Sequence, residues 1–207
     1  MNLEETYDLI AKDWHEDHLP DDWWIEGTDA FIGSLPQGAS ILDVGCASGV
    51  KSKYLSGHGF KVTGIDISDK LLDIARREAP EVVFEKLSMY DLYTLPETFG
   101  GVFAQASLLH IPRKDVQEVV HKMANRLAPG GLLYLAVKEL REGKPEEGVA
   151  KENDYGYEYE RFFSYFTMDE LEQYMQNAGL KVISKLRNPN PSGKSVWLQI
   201  TGQKQTL

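Results

Sequence analysis

The stretch Ile41-Leu42-Asp43-Val44-Gly45-Cys46-Ala47-Ser48-Gly49 decides the reading of this chain. Apolar residues up to Val44 predict a short strand, and the small residues after it predict a tight turn into a helix over 48–57. A second apolar run, Val62-Thr63-Gly64-Ile65, ends on Asp66. Small residues admit a ligand close to the backbone, and the first turn of a helix offers free N–H groups. An acidic residue at the tip of the neighbouring strand can accept both hydrogen bonds of a ribose diol. Together these features predict a nucleoside pocket.

A dinucleotide would require G-x-G-x-x-G, with the second glycine placed for a pyrophosphate. Here Gly45 and Gly49 enclose three residues, the middle one being Ala47. Asp43 also lies at the strand end, where it would repel a pyrophosphate and attract a cation. A phosphate-free nucleoside with ammonium and sulfonium charges, S-adenosyl-L-methionine, meets both conditions. An NAD-type oxidoreductase is disfavoured on the glycine spacing.

The segment Asp43–Gly49 resembles the glycine-rich first motif of class I S-adenosylmethionine-dependent methyltransferases. Gly64-Ile65-Asp66-Ile67-Ser68 resembles their acidic second motif. Leu127-Ala128-Pro129-Gly130-Gly131-Leu132-Leu133 is similar to the Pro-Gly-Gly turn before their fifth strand. Each motif alone is weak, but three in order, within a resemblance running from about residue 7 to about residue 202, are specific. The resemblance implies a Rossmann-like sheet of seven mostly parallel strands ending in an antiparallel hairpin.

The chain's own periodicity agrees with that expectation. Strands are read over 40–44, 61–65, 82–86, 101–107 and 131–137, with helices over 48–57, 69–78 and 113–127 between them. Leu3, Tyr7, Ile10, Ala11, Trp14 and His18 recur at helical spacing at the N-terminus, and Trp23, Trp24, Ile25 and Phe31 follow in a partly helical stretch. Thr167-Met168-Asp169-Glu170 reads as a capping box before a helix that Gly179 stops. Strand-like runs over 180–186 and 195–202 flank the turn Asn188-Pro189-Asn190-Pro191-Ser192-Gly193. A single domain over 1–207 is expected, with a helical cap over 1–35 and a lid-like insertion over 139–166.

With 207 residues the chain can bury one sizeable core. A net charge of −10 argues against a nucleic-acid substrate, and Lys51-Ser52-Lys53 and Arg76-Arg77 read as solvated helix faces. No run of apolar residues is long enough for a membrane span, and no secretory signal opens the chain. The one cysteine, Cys46, excludes an internal disulfide and fits a cytoplasmic setting. The histidines lack metal-ligand spacing, so no metal is expected.

Ligands in such sheets bind at the carboxyl ends of the strands, where the strand order reverses. Asp43, Gly45, Cys46, Ala47, Asp66, Ile67, Ser88, Met89 and Ala106 form the expected cofactor set. Asp66 would hold the ribose and Ile67 would cover an adenine face, leaving Ser68 to cap the next helix. Cys46 reads as a packed small residue. The family usually has glycine at Ala47, and alanine there costs on the order of 1 kcal/mol at positive φ, so a negative φ is expected. Ser88 stands where the resemblance implies an acidic adenine contact, with Met89 against the ring and Asp91 as the fallback.

The fourth strand should deliver Ala104-Gln105-Ala106-Ser107-Leu108-Leu109-His110-Ile111-Pro112, its end facing the transferable methyl group. The acceptor signatures for exocyclic base amines and for pyrimidine carbon are missing; Ser-Leu-Leu-His-Ile-Pro instead resembles small-molecule members of the family with an unassigned substrate, which implies a small-molecule methyl acceptor. His110 has two readings: a general base, or a histidine that bonds backbone and shapes the loop before Pro112. In the 139–166 segment a charged, flexible first half precedes an aromatic second half. There Tyr155, Tyr157, Tyr159 and Arg161 are lid candidates, while Phe162, Phe163 and Phe166 should pack beneath the last helix. Tyr7, Trp14, Trp23 and Trp24 could close the opposite side. The implied reaction is a direct in-line displacement at the methyl carbon. A non-catalytic cofactor-binding module of the same fold is the alternative.

Overall fold

The computed structural model describes residues 2–189 and 195–206. Seven strands form the main sheet: β1 (Ser40–Val44), β2 (Lys61–Asp66), β3 (Val83–Lys86), β4 (Phe99–Gln105), β5 (Leu127–Lys138), β8 (Leu180–Pro189) and β9 (Val196–Lys204). Their order is β3-β2-β1-β4-β5-β9-β8. Pairings among β1 to β5 are parallel, and β9 runs antiparallel to both β5 and β8. The strand order therefore reverses between β1 and β4, which opens a crevice at their carboxyl ends.

Helices cover both faces because alternate strand residues are apolar in both directions. Ile41 joins a core cluster with Phe31 of α2 (Ile25–Ile32), Leu55 of α3 (Val50–Gly57) and Leu72 of α4 (Asp69–Glu78). Leu42 and Val44 face the other cluster, which holds α5 (Arg113–Asn125) and α6 (Met168–Asn177). Val116, Val119, Val120 and Met123 of α5 are fully buried, at roughly 1.5–3 kcal/mol for each side chain. Helix α1 (Leu3–His18) starts at an Asn2–Glu5 capping box, and α6 starts at the Thr167–Glu170 box read in the sequence.

Several boundaries differ from the sequence reading. Strand β4 ends at Gln105, because Ala106 adopts φ 56° and turns the chain out of the sheet. Strand β5 begins at Leu127, so the Pro-Gly-Gly turn lies within it, and its first residue pairs with Phe99. Strand β8 continues to Pro189; residues 190–193 of the expected turn lie outside the described residues.

The 139–166 segment is the larger correction. Its charged first half is not a flexible loop but strand β6 (Glu147–Glu152), paired antiparallel with β7 (Tyr159–Ser164). Strand β6 has no inward apolar face, and its Val149 is 60% exposed, so periodicity could not reveal it. Pairing with β7 satisfies its backbone groups instead. Leu140 and Phe166 join the base of this hairpin, with the Leu140 N–H donating to the Phe166 carbonyl at 2.8 Å.

Candidate functional site

The carboxyl ends of the strands enclose a crevice of about 640 Å³. All nine residues expected at the cofactor line it: Asp43, Gly45, Cys46, Ala47, Asp66, Ile67, Ser88, Met89 and Ala106. Gly45 has φ 76°, and a Cβ there would stand 2.4 Å from the Ser107 Cβ. Only a glycine lets the tips of β1 and β4 approach this closely.

Ala47 contradicts the sequence expectation, since its φ is 49°. The left-handed conformation aims its N–H at the Asp66 carboxylate, with 2.9 Å between Ala47 N and Oδ2. That hydrogen bond joins the two motifs and offsets the steric cost of the conformation. The other Asp66 oxygen accepts from the Ser68 N–H at 3.0 Å. Ser68 itself caps α4, accepting from the Leu71 N–H at 3.1 Å. Burial raises the pKa of Asp66, while these backbone donors pull it back.

Asp43 is 2% exposed and lines the crevice, with the Ser52 hydroxyl donating to its Oδ2 at 2.6 Å. Burial pushes its pKa up to about 6, against the Ser52 hydrogen bond and the charge of Lys51. A carboxylate so placed favours a bound cation. Lys51 and Ser52 do not lie on a solvated face as expected. Lys51 lines the crevice with its Nζ 5.5 Å from the Trp24 ring centre, and Ser52 is fully buried. Cys46 is buried, and its thiol is pushed well up by burial and by Asp66 and Asp43, so it is no nucleophile.

Beyond the switch point the wall changes character. His110 lines the crevice with Nδ1 2.7 Å from the Phe162 carbonyl and Nε2 2.8 Å from the Tyr7 hydroxyl. A carbonyl only accepts, so Nδ1 carries the proton of the neutral ring and Nε2 accepts from Tyr7. Burial lowers the His110 pKa to about 3. Arg161 donates both Nε and Nη2 to Glu152 at 2.6 Å, with Nη1 3.4 Å from the Tyr7 oxygen.

Tyr7, Trp14 and Arg161 of the expected lid and substrate set border the crevice; Tyr155, Tyr157 and Tyr159 do not. Those three cluster at the β6–β7 turn, where Tyr155 stacks on Tyr159 and Tyr157 donates to Asp13 at 2.7 Å. Phe163 is in the crevice wall rather than beneath α6, because strand alternation puts it on the same side as Arg161. Phe166 meets Tyr174 of α6 edge-on. Asp91 lies in a 3-10 turn (Met89–Thr94), away from the crevice.

Asp17, His18, Asp21, Lys138 and Trp197 also line the crevice and were not foreseen. For Lys138 a signal existed: it is the last residue of a strand whose carboxyl end faces the site. Among the described residues no group of three or more His, Cys, Asp and Glu could hold a metal ion. Among them, too, no helix is long and apolar enough to cross a membrane.

Residues 15–185 match the sequence profile of a methyltransferase domain. The chain belongs to the methyltransferase domain family. An Azoarcus sp. relative, a ubiquinone biosynthesis O-methyltransferase, is 28% identical over 174 residues, covering 78% of this chain and 70% of the relative. An S-adenosyl-L-methionine-dependent Diels-Alderase from Talaromyces variabilis is 34% identical over 116 residues, 52% of this chain and 39% of the relative. The chain spans between 30% and 44% of the length of several curated relatives it matches. A Burkholderia thailandensis 1,6-didemethyltoxoflavin-N1-methyltransferase, solved with its acceptor and S-adenosylhomocysteine, superposes with a TM-score of 0.78. It shares 18% identity, and the match covers 99% of this chain and 88% of that one. At that identity the likeness shows the methyltransferase fold alone.

Proposed function

We propose that this methyltransferase-family domain transfers a methyl group from S-adenosyl-L-methionine to a small-molecule acceptor. The observation that carries the reading is the pair of carboxylates, Asp43 and Asp66, on adjacent strand tips around a turn with no room for a side chain at Gly45. Asp43 would face the cationic amino-acid part of the cofactor. Asp66 would hold the ribose diol with the lone pairs its two backbone donors leave free. Ile67 and Met89 would flank the adenine, with Ser88 near its edge. When bound, the cofactor supplies an electrophilic methyl group on a sulfonium.

The chain's own contribution is positioning and water exclusion, which can lower a barrier by up to roughly 7–11 kcal/mol. The Tyr7 hydroxyl and the His110 ring hold each other at the acceptor side, and Trp14 and Arg161 narrow the entrance. A crevice of about 640 Å³ is in the range of small-molecule sites. With a net charge of −10, nucleic acid is a poor fit, and the single buried cysteine suits a cytoplasmic setting.

The Diels-Alderase relative supports one alternative, in which the cofactor is bound but its methyl group is kept. Calorimetry with S-adenosylmethionine, S-adenosylhomocysteine and NAD tests the binding reading; tight NAD binding with no adenosyl ligand bound would overturn it. A screen of metabolite extracts for S-adenosylhomocysteine formation then tests the chemistry. Product formation without its release would favour the alternative.

A further inference from the structure

One part of the crevice has no role in the reading above. Lys138 ends β5 and pairs in register with Trp197 of β9. Its Nζ lies 4.4 Å from the Phe163 ring centre and 5.8 Å from that of Trp197. The carboxylate that acts on it, Glu152, is committed elsewhere, and so is the neighbouring Glu139. Glu152 holds Arg161 through two 2.6 Å hydrogen bonds, and Glu139 holds Arg187 through two of 2.8 Å.

Lys138 therefore has no ion-pair partner among the described residues. Burial and the Arg161 charge push its pKa down, so the protein itself disfavours its charge. The Trp197 Nε1–H, which can only donate, is buried and, among the described residues, without an acceptor. Trp23 stacks on the Trp197 ring with centroids 4.0 Å apart, and Leu109, Ile111 and Phe163 make the surrounding wall apolar. Lys138 also borders a second groove of about 350 Å³, so it stands between the two cavities.

Two cations and one committed carboxylate face each other here, whereas Asp43 and Asp66 occupy the other end of the crevice. The crevice is thus acidic at its cofactor end and cationic at its acceptor end. We propose that Lys138 is an anion-binding residue for the methyl acceptor, which carries a carboxylate on an apolar body. An anion at this place gives Lys138 its missing counter-charge and excludes no existing partner. The proposal rests on the cofactor reading, because that reading makes this end the acceptor side.

The test uses benzoate and its neutral isostere benzamide, titrated by tryptophan fluorescence and calorimetry into protein loaded with S-adenosylhomocysteine. Charge-assisted contacts predict benzoate binding roughly tenfold or more tighter than benzamide. Lys138→Met, which keeps the aliphatic stem, should remove that preference and leave S-adenosylhomocysteine affinity unchanged; Lys138→Arg should keep most of it. Absence of benzoate binding, equal binding of the two probes, or a preference surviving in Lys138→Met overturns the proposal. So does a loss of S-adenosylhomocysteine affinity in Lys138→Met, which would give the residue to the cofactor. A wild-type protein that binds no S-adenosylhomocysteine instead overturns the cofactor reading.

Discussion

Replacing Asp43 with asparagine should make the ligand-free protein more stable and the liganded one weaker. Asp43 is nearly inaccessible, and burial lifts its pKa from the ordinary carboxylate value near 4 to about 6. At roughly 1.4 kcal/mol per unit, keeping it ionised in the empty site costs about 3 kcal/mol. The folded state binds the proton more tightly than the unfolded chain. Its stabilising influence is thus complete below pH 4 and is lost as pH rises through about 6. Asparagine has no charge to desolvate, and its carbonyl can still accept from Ser52. The variant's stability relative to wild type should therefore rise by about 3 kcal/mol between pH 4 and pH 8. In a domain of this size that is roughly 6–12 °C in Tm. Calorimetric melts of both proteins across this range measure the difference directly. A pH-independent difference would refute the reasoning, as would S-adenosylmethionine binding that is undiminished in Asp43→Asn.

Asp66→Ala removes the acceptor of both the Ala47 and Ser68 N–H groups. S-adenosylhomocysteine affinity should fall at least tenfold by calorimetry, and an unchanged Kd would end the ribose assignment. At Ala47, the positive φ predicts that Ala47→Gly is neutral or stabilising by up to about 1 kcal/mol in urea unfolding; a larger loss would contradict the left-handed conformation. The low pKa and fixed tautomer of His110 predict a neutral ring at pH 5. Imidazole nitrogen shifts read this directly, and an imidazolium signal at pH 5 would overturn the hydrogen-bond assignment.

The sheet was legible because its strands are short apolar runs ended by small or acidic residues, and the helices between them carry one-sided stripes such as Val116, Val119, Val120 and Met123. The end of the crevice that holds Asp43 and Asp66 was legible for the same reason: Asp43 to Ala47 and Asp66 sit at fixed offsets from strand tips. The opposite end was not. It combines Tyr7 from α1, His110 from a 3-10 turn, Lys138 from β5, Arg161 from β7 and Trp197 from β9, which meet only through tertiary packing. Strand β6 gave no alternating signal, and the Ala47 conformation depends on a hydrogen bond to a residue in another motif. Lys51 was misread because its solvated neighbour Lys53 suggested one exposed face, although consecutive helical residues point about 100° apart.

Helix α1 is fastened to both ends of the crevice. Asp8 accepts from the Ser68 hydroxyl at 2.6 Å and from the Lys70 N–H at 3.1 Å, and His15 meets Ser48 at 2.9 Å. On the far side Thr6 donates to the Glu160 carbonyl at 3.1 Å, and Tyr7 holds His110. One helix thus borders the crevice at both of its ends. A ligand leaving either end would have to displace the same element, so departures from the two ends should share a common slow step. Either guest alone should then retard deuterium uptake along the whole of α1.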